Sequence, residues 1–265
     1  MTSSLASPLV AVLAVLVGVI GCAGPVRPEG GRRPPRIAAA ANLNVALTEI
    51  AGAFEQERGR RVELVFGASG TLTRQILDGA PFELFLAADE SFPDRLAEAG
   101  LTRDDGSIYA LGRLALFAPS GSPLTVDERL DGLAELVRTG DLERFAIANP
   151  EVAPYGRAAE AVLRKHGLWD GLRPRLVLGD SVAQAAQFTV TGNASGGLLP
   201  YSIVLAPTFA GRGTHALIPS SDHPSLRQKM VLMKGAGPVS VEFHDFVLSD
   251  TARAILGRHG YEVPE

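Results

Sequence analysis

The chain has 265 residues, 46% of them hydrophobic and 20% charged, with 29 Gly and 18 Pro, an ordinary globular composition that excludes disorder, collagen and coiled coil. Lys+Arg 25 against Asp+Glu 29 gives a formal net charge of −4, so there is no overall basic field to hold nucleic acid or an anionic surface. The length is ample for one large domain or two lobes.

The single cysteine excludes an internal disulfide framework and a multi-cysteine metal site. Leu9 to Ile20 is an uninterrupted apolar run of 12 residues, too short to cross ~30 Å of hydrocarbon as a helix. It reads as the core of a signal peptide, although residues 1–8 carry no Lys or Arg. Val19-Ile20-Gly21-Cys22 resembles the bacterial lipoprotein box, in which the cysteine is acylated and becomes the mature N-terminus. Residues 1–21 are therefore expected to be a signal peptide and Cys22 the lipidation site. Residues 22–35, with four prolines after Cys22, are expected to be a membrane-anchored tether.

From Arg36 onward strand-like and helix-like segments alternate. Ile37–Ala41 reads as a buried strand, Leu43–Arg58 as a helix and Val62–Phe66 as a strand. In that helix Leu43, Leu47, Ile50 and Phe54 form one apolar stripe, and Gly59 ends it. A helix over Thr71–Leu77 and a strand over Glu83–Ala87 follow. Strands are expected at Leu114–Phe117, Arg144–Ala148, Leu176–Leu178, Gly197–Leu199, His215–Ile218 and Lys229–Met233. Helices are expected at Leu130–Val137, Gly156–His166 and Val182–Thr191, and from near Pro238 and Asp250. The alternation points to two doubly wound α/β lobes rather than a barrel, because eight regular βα units cannot be counted.

Several strands end in small or polar residues and turn directly into a helix, where backbone N–H groups and the positive end of the helix dipole face outward. Asn42 is expected at the N-cap of the first helix and Ser69 at that of the second. Asn149-Pro150-Glu151-Val152-Ala153-Pro154-Tyr155-Gly156 and Gly179-Asp180-Ser181-Val182 supply two further turns. Each alone reads as ordinary capping; together they could converge on one anion. There is no G-x-S-x-G, H-E-x-x-H or P-loop. His166, His215, His223, His244 and His259 are scattered and read as surface residues. Asp89 and Glu90 read as the acidic start of a helix.

Ala39-Ala40-Ala41-Asn42-Leu43, Phe66-Gly67-Ala68-Ser69-Gly70-Thr71-Leu72-Thr73-Arg74-Gln75-Ile76, the stretch Gly79 to Asp89, Asn149-Pro150 through Gly156, and Ser181-Val182-Ala183-Gln184-Ala185 together resemble the extracytoplasmic molybdate-binding proteins of ABC importers. The likeness runs from Ile37 to Tyr261. It implies a type II periplasmic-binding fold with two α/β lobes, each a doubly wound mixed sheet flanked by helices. Residues 36–115 plus 226–265 would form the first lobe and 116–225 the second. It implies that molybdate or tungstate is held by Asn42 through its side-chain amide, by Ser69, by Tyr155 and by the backbone N–H of Val182. Ala41 could add only backbone, and Tyr201 stands one residue away from a tyrosine that some members use. The implied protein is a monomeric, lipid-anchored, extracytoplasmic binding component rather than an enzyme, with no cofactor and no cationic metal. It would deliver its ligand to a permease and ATPase. The alternatives are a binder of sulfate or another small oxyanion, or a lipid-anchored oxyanion sensor; an enzyme using Ser69 or Tyr155 as nucleophile lacks a motif for its base.

Overall fold

Ala38, Ala39 and Ala40 are buried on both faces of a central strand, and this sets the pattern for the molecule. The computed structural model describes Met1 and residues 33–264; the expected leader, Cys22 and the tether up to residue 32 lie outside the described residues. The compact unit begins at Pro34. β1 (Arg36–Ala40) runs through a 3-10 turn (Ala41–Leu43) into α1 (Asn44–Arg58). Next come β2 (Glu63–Gly67), α2 (Ser69–Leu77), β3 (Leu84–Leu86), α3 (Ser91–Glu98), β4 (Ser107–Gly112) and β5 (Leu114–Pro119). They are followed by α4 (Asp131–Thr139), β6 (Phe145–Ala148), α5 (Pro154–Lys165), α6 (Trp169–Leu172), β7 (Leu176–Gly179) and α7 (Val182–Val190). The chain closes with β8 (Gly196–Pro200), α8 (Tyr201–Val204), β9 (Gly213–Leu217), β10 (Leu226–Leu232), α9 (Pro238–Val247) and α10 (Asp250–Arg258). Among the described residues no helix is long and apolar enough to cross a membrane.

The strands form two five-stranded sheets, β2-β1-β3-β10-β4 and β7-β6-β8-β5-β9. In the first, β2, β1 and β3 are parallel and β10 runs antiparallel between β3 and β4. The second repeats this plan, with β5 as the reversed strand between β8 and β9. Expected strands and helices appear with shifted ends. α5 starts at Pro154 rather than Gly156, because proline at the first helical position loses no needed N–H. β4 was not expected from the sequence. β5 pairs with the second sheet from Leu114 onward, so the chain crosses between sheets at Arg113, ahead of the expected boundary after residue 115.

Helices cover both faces of the first sheet. On one side the α1 stripe of Leu43, Leu47, Ile50 and Phe54 is fully buried. Phe54 meets Phe243 and Phe246 of α9 edge-on, with centroids 5.1 and 5.4 Å apart. On the other, Leu72 and Ile76 of α2 and Phe92 and Leu96 of α3 pack with Ala38, Phe85 and Val231. Gly59 ends α1 with a left-handed φ of 64°, its N–H bonded to Glu55 O at 2.9 Å. The return crossing, from β9 to β10, is fastened to the end of α5: Asp222 accepts from Lys165 Nζ at 2.7 Å and lies 2.8 Å from His166 Nε2. These partners hold the Asp222 carboxyl down to about 2.

Candidate functional site

Parallel pairing places strand ends side by side. Ala40 of β1 is in register with Gly67 of β2, so the turn carrying Asn42 and the helix carrying Ser69 leave the first sheet at the same edge. Ala148 of β6 is likewise in register with Gly179 of β7, and Asn149 N–H donates to Gly179 O at 2.8 Å. The loop before Tyr155 and the turn before Val182 therefore leave the second sheet together. Ligands of open α/β sheets gather at such carboxyl ends. α2, α5 and α7 all begin here, and their first-turn N–H groups have no partner within the helix.

Local geometry departs from the expected caps. Asn42 lies inside the 3-10 turn, and Leu43 is the N-cap of α1. Ser69 is the first residue of α2 after an extended Ala68. Val182 opens α7 as expected, after Ser181, whose hydroxyl accepts from Gln184 N–H at 3.4 Å.

The two sets of strand ends face each other. Gly70 N–H of α2 donates to Val152 O, before α5, at 2.9 Å. Arg157 of α5 pairs with Asp89 beyond β3 and stacks its guanidinium on Phe92, 5.0 Å from the ring centre. α7 lies against the Ala41–Leu43 turn. Asn42, Ser69, Tyr155 and Val182 are brought into one region drawn from both sheets, each 5% exposed or less.

The protons in this region are distributed in a particular way. Ser69 Oγ accepts Ala88 N–H at 3.0 Å, which leaves its own proton to give. Tyr155 Oη accepts Gln228 Nε2–H at 3.1 Å, and its proton too has no acceptor among the described residues. Burial raises the Tyr155 phenol well above its ordinary range, with Tyr261 close by adding to this and Gln228 and Asn42 opposing it, so the hydroxyl stays protonated. Asn42 differs from expectation. Its Nδ2 donates to Gln228 Oε1 at 3.1 Å and to Tyr261 Oη at 2.9 Å, and the buried Oδ1 has no partner among the described residues. The amide N–H groups expected for a ligand are engaged within the protein.

Sequence reasoning missed the residues behind the site. Gln228, in β10, is fully buried; its Oε1 also accepts from Tyr109 Oη at 3.0 Å. Tyr261 Oη and Ser202 Oγ both donate to the Asn42 carbonyl, at 2.8 and 3.0 Å. Gly112 is required here, because a Cβ would meet Tyr155 Oη and come within 2.7 Å of Gln228 Nε2. The one signal available was a glutamine in an otherwise apolar inward row of β10. Tyr201 is outside this network: its ring lies under the Arg113 guanidinium, 5.2 Å away, and 5.6 Å from the His215 ring. Ala41 is buried and can offer only backbone.

Residues 35–262 match the family of bacterial extracellular solute-binding proteins. The chain belongs to that family. It is 37% identical to the molybdate-binding protein ModA of Rhodobacter capsulatus, over 84% of this chain and 86% of that protein. It is 34% identical to ModA of Azotobacter vinelandii, over 94% and 96%. Among solved structures, the periplasmic molybdate-binding protein of Azotobacter vinelandii superposes with a TM-score of 0.79 at 29% identity, over 87% of this chain and all of that one. The fold is that of the periplasmic binding proteins, two mixed sheets flanked by helices.

In this solute-binding protein, acidic residues expected only to cap a helix do more. Glu90 is the N-cap of α3 without a side-chain capping bond, and it accepts from Arg227 Nε at 2.6 Å; Asp89 holds Arg157 across the cleft. The histidines are not all free surface groups either. His166 lies 2.8 Å from Asp222, His244 2.9 Å from Asp245 and His259 2.7 Å from Glu49.

Proposed function

We propose that the protein captures molybdate, and tungstate with it, between its two sheets and delivers it to the permease and ATPase of an ABC importer. The observation that carries this reading is the proton inventory. Ser69 Oγ and Tyr155 Oη each already accept a protein N–H, and each keeps a proton to donate. With the N–H of Val182 the region offers donors, and the Asp89 carboxylate beside it is paired with Arg157, which suits an oxyanion that only accepts hydrogen bonds. The names of the curated relatives support the choice of anion.

Charge-assisted hydrogen bonds contribute about 1.5–3 kcal/mol each. Four to six of them, less the costs of closure and desolvation, reach about −8 kcal/mol or better, a sub-micromolar affinity. The two sheets serve as cores of two lobes, 36–113 with 226–265 and 114–225, which close on the anion as the Gly70–Val152 and Asp89–Arg157 contacts form. The permease reads the closed form. Lipidation at Cys22 keeps the monomeric domain outside the membrane, tethered by residues 22–35; Cys22→Ser should then release it from membranes.

Titration calorimetry with molybdate, tungstate, sulfate and phosphate tests the reading. Molybdate and tungstate should bind about equally. Sulfate, which is smaller, should bind far more weakly, because rigid helix termini cannot close on it. Hydrogen phosphate brings a proton that finds no carboxylate, with the Asn42 amide oxygen as the acceptor on offer, and should bind more weakly than molybdate. Sulfate binding as tightly as molybdate would refute the assignment.

A further inference from the structure

Between Asn42 and Tyr155 stands one buried amide that touches both, and its two ends are chemically opposite. Gln228 Oε1 accepts from Asn42 Nδ2 at 3.1 Å, and Gln228 Nε2 donates to Tyr155 Oη at 3.1 Å. In this arrangement Tyr155 keeps its proton for a ligand, while Asn42 is left with its bare Oδ1, a buried acceptor without a partner. Turning Asn42 alone would set its Oδ1 against Gln228 Oε1, two acceptors in contact. Turning both amides exchanges O and N at the same positions, frees an Asn42 N–H, and makes Gln228 accept the Tyr155 proton.

We propose that Gln228 is a positioning residue that decides which donor the site offers, leaving either Tyr155 or Asn42, and never both, free to donate to the oxyanion. The proposal rests on the oxyanion reading above. It also couples the site to closure, because Gln228 is on β10 of the first sheet and Tyr155 on α5, packed with the second.

A carboxylate at this position can only accept. Gln228→Glu would take the Asn42 N–H on one side and the Tyr155 proton on the other, disarming both donors and adding a negative charge beside the anion. Once protonated, the introduced carboxyl would again donate to Tyr155, so molybdate binding should draw a proton into this variant. The groups around position 228 are the phenols of Tyr109 and Tyr155 and, through Asn42, that of Tyr261. All three are raised above the ordinary phenol range, chiefly by burial, so across about pH 5.5–8.5 the introduced carboxyl is the group in this cluster that titrates.

The test is calorimetric titration of the wild type, Gln228→Glu and Gln228→Met with sodium molybdate in buffers of different ionisation enthalpy. Gln228→Met should weaken binding about tenfold with no proton uptake. Gln228→Glu should weaken it at least about a hundredfold at pH 8, recover as pH falls, and take up close to one proton per molybdate bound. Adding Tyr155→Phe should cost about tenfold in the wild type and less than about twofold in Gln228→Glu. A merely structural glutamine would make both Gln228 variants lose affinity in parallel with thermal stability, without proton uptake, and that result overturns the proposal. Should Gln228→Glu fail to fold, Gln228→Met binding as tightly as the wild type overturns it alone. If the wild type itself does not bind molybdate, the oxyanion reading fails first, and the two failures are distinguishable.

Discussion

The N–H of Gly70 donates to the carbonyl of Val152 at 2.9 Å, a bond between the helix that carries Ser69 and the segment that leads into Tyr155. It holds the two halves of the site at one separation. A Cβ on Gly70 would lie 3.0 Å from Val152 Cα and O and 3.1 Å from the Phe92 ring.

Gly70→Ala therefore opposes two effects. Alanine favours the helix by up to about 1 kcal/mol, but its methyl group wedges the closed contact, at a cost of about 1–3 kcal/mol. Molybdate affinity should fall about tenfold while the ligand-free protein keeps its melting temperature to within a few degrees. Unchanged affinity would show that this contact is not part of closure.

Arg157 and Asp89 form the second bond across the cleft. Arg157 is 40% and Asp89 16% exposed, so the pair should be a modest, salt-sensitive latch. Arg157→Ala should speed molybdate release about two- to tenfold at low ionic strength, with the difference shrinking in high salt. Stopped-flow displacement checks this, and equal release rates would remove the latch.

Ser69→Ala removes a hydroxyl whose proton has no acceptor among the described residues. Calorimetric affinity should drop about ten- to hundredfold, the equivalent of about 1.5–3 kcal/mol. It also leaves Ala88 N–H without its acceptor, so a fall in melting temperature should accompany the loss. Full affinity in this variant would place the anion elsewhere.

Much of the fold was legible because it follows from periodicity and strand-ending residues. The α1 stripe, the Gly59 stop and the Val182 helix start all came from local pattern. β4 was missed because Ser107–Gly112 carries little apolar alternation of its own and is held by pairing with β10, more than a hundred residues away. The partners of Asn42 were hidden for a related reason. Asn42 is a natural donor in isolation, but Gln228 and Tyr261 reach it across separations of 186 and 219 residues and take its N–H groups. Tertiary contacts of this kind decide where protons go, and the residues around Asn42 in sequence do not announce them.

Asp222 gives a pH signature independent of the ligand. Its folded pKa, about 2, lies below the unfolded value of 3.8, held down first by Lys165 and then by His166. The stability this adds is fully present above about pH 4–5 and is lost as pH falls toward 2. Asp222→Asn should unfold more readily at neutral pH, with the gap from the wild type closing over that acidic window in thermal melts. A gap that stays constant would mean the pairing contributes nothing.

Binding itself should be flat between about pH 6 and 8.5, because the tyrosines behind the site titrate well above that window. Isothermal titrations at several pH values check it, and a steep slope would reveal a titrating ligand group.

The central claim is that molybdate sits between the two sheets, held by hydrogen-bond donors. Diffraction from crystals grown with molybdate, recorded at the molybdenum absorption edge, locates the metal directly. One anomalous peak is expected, with its oxygens in hydrogen-bond reach of Ser69 Oγ, Val182 N and the Tyr155 or Asn42 side chain. A peak at any other place on the molecule, or none at saturating molybdate, would contradict the account.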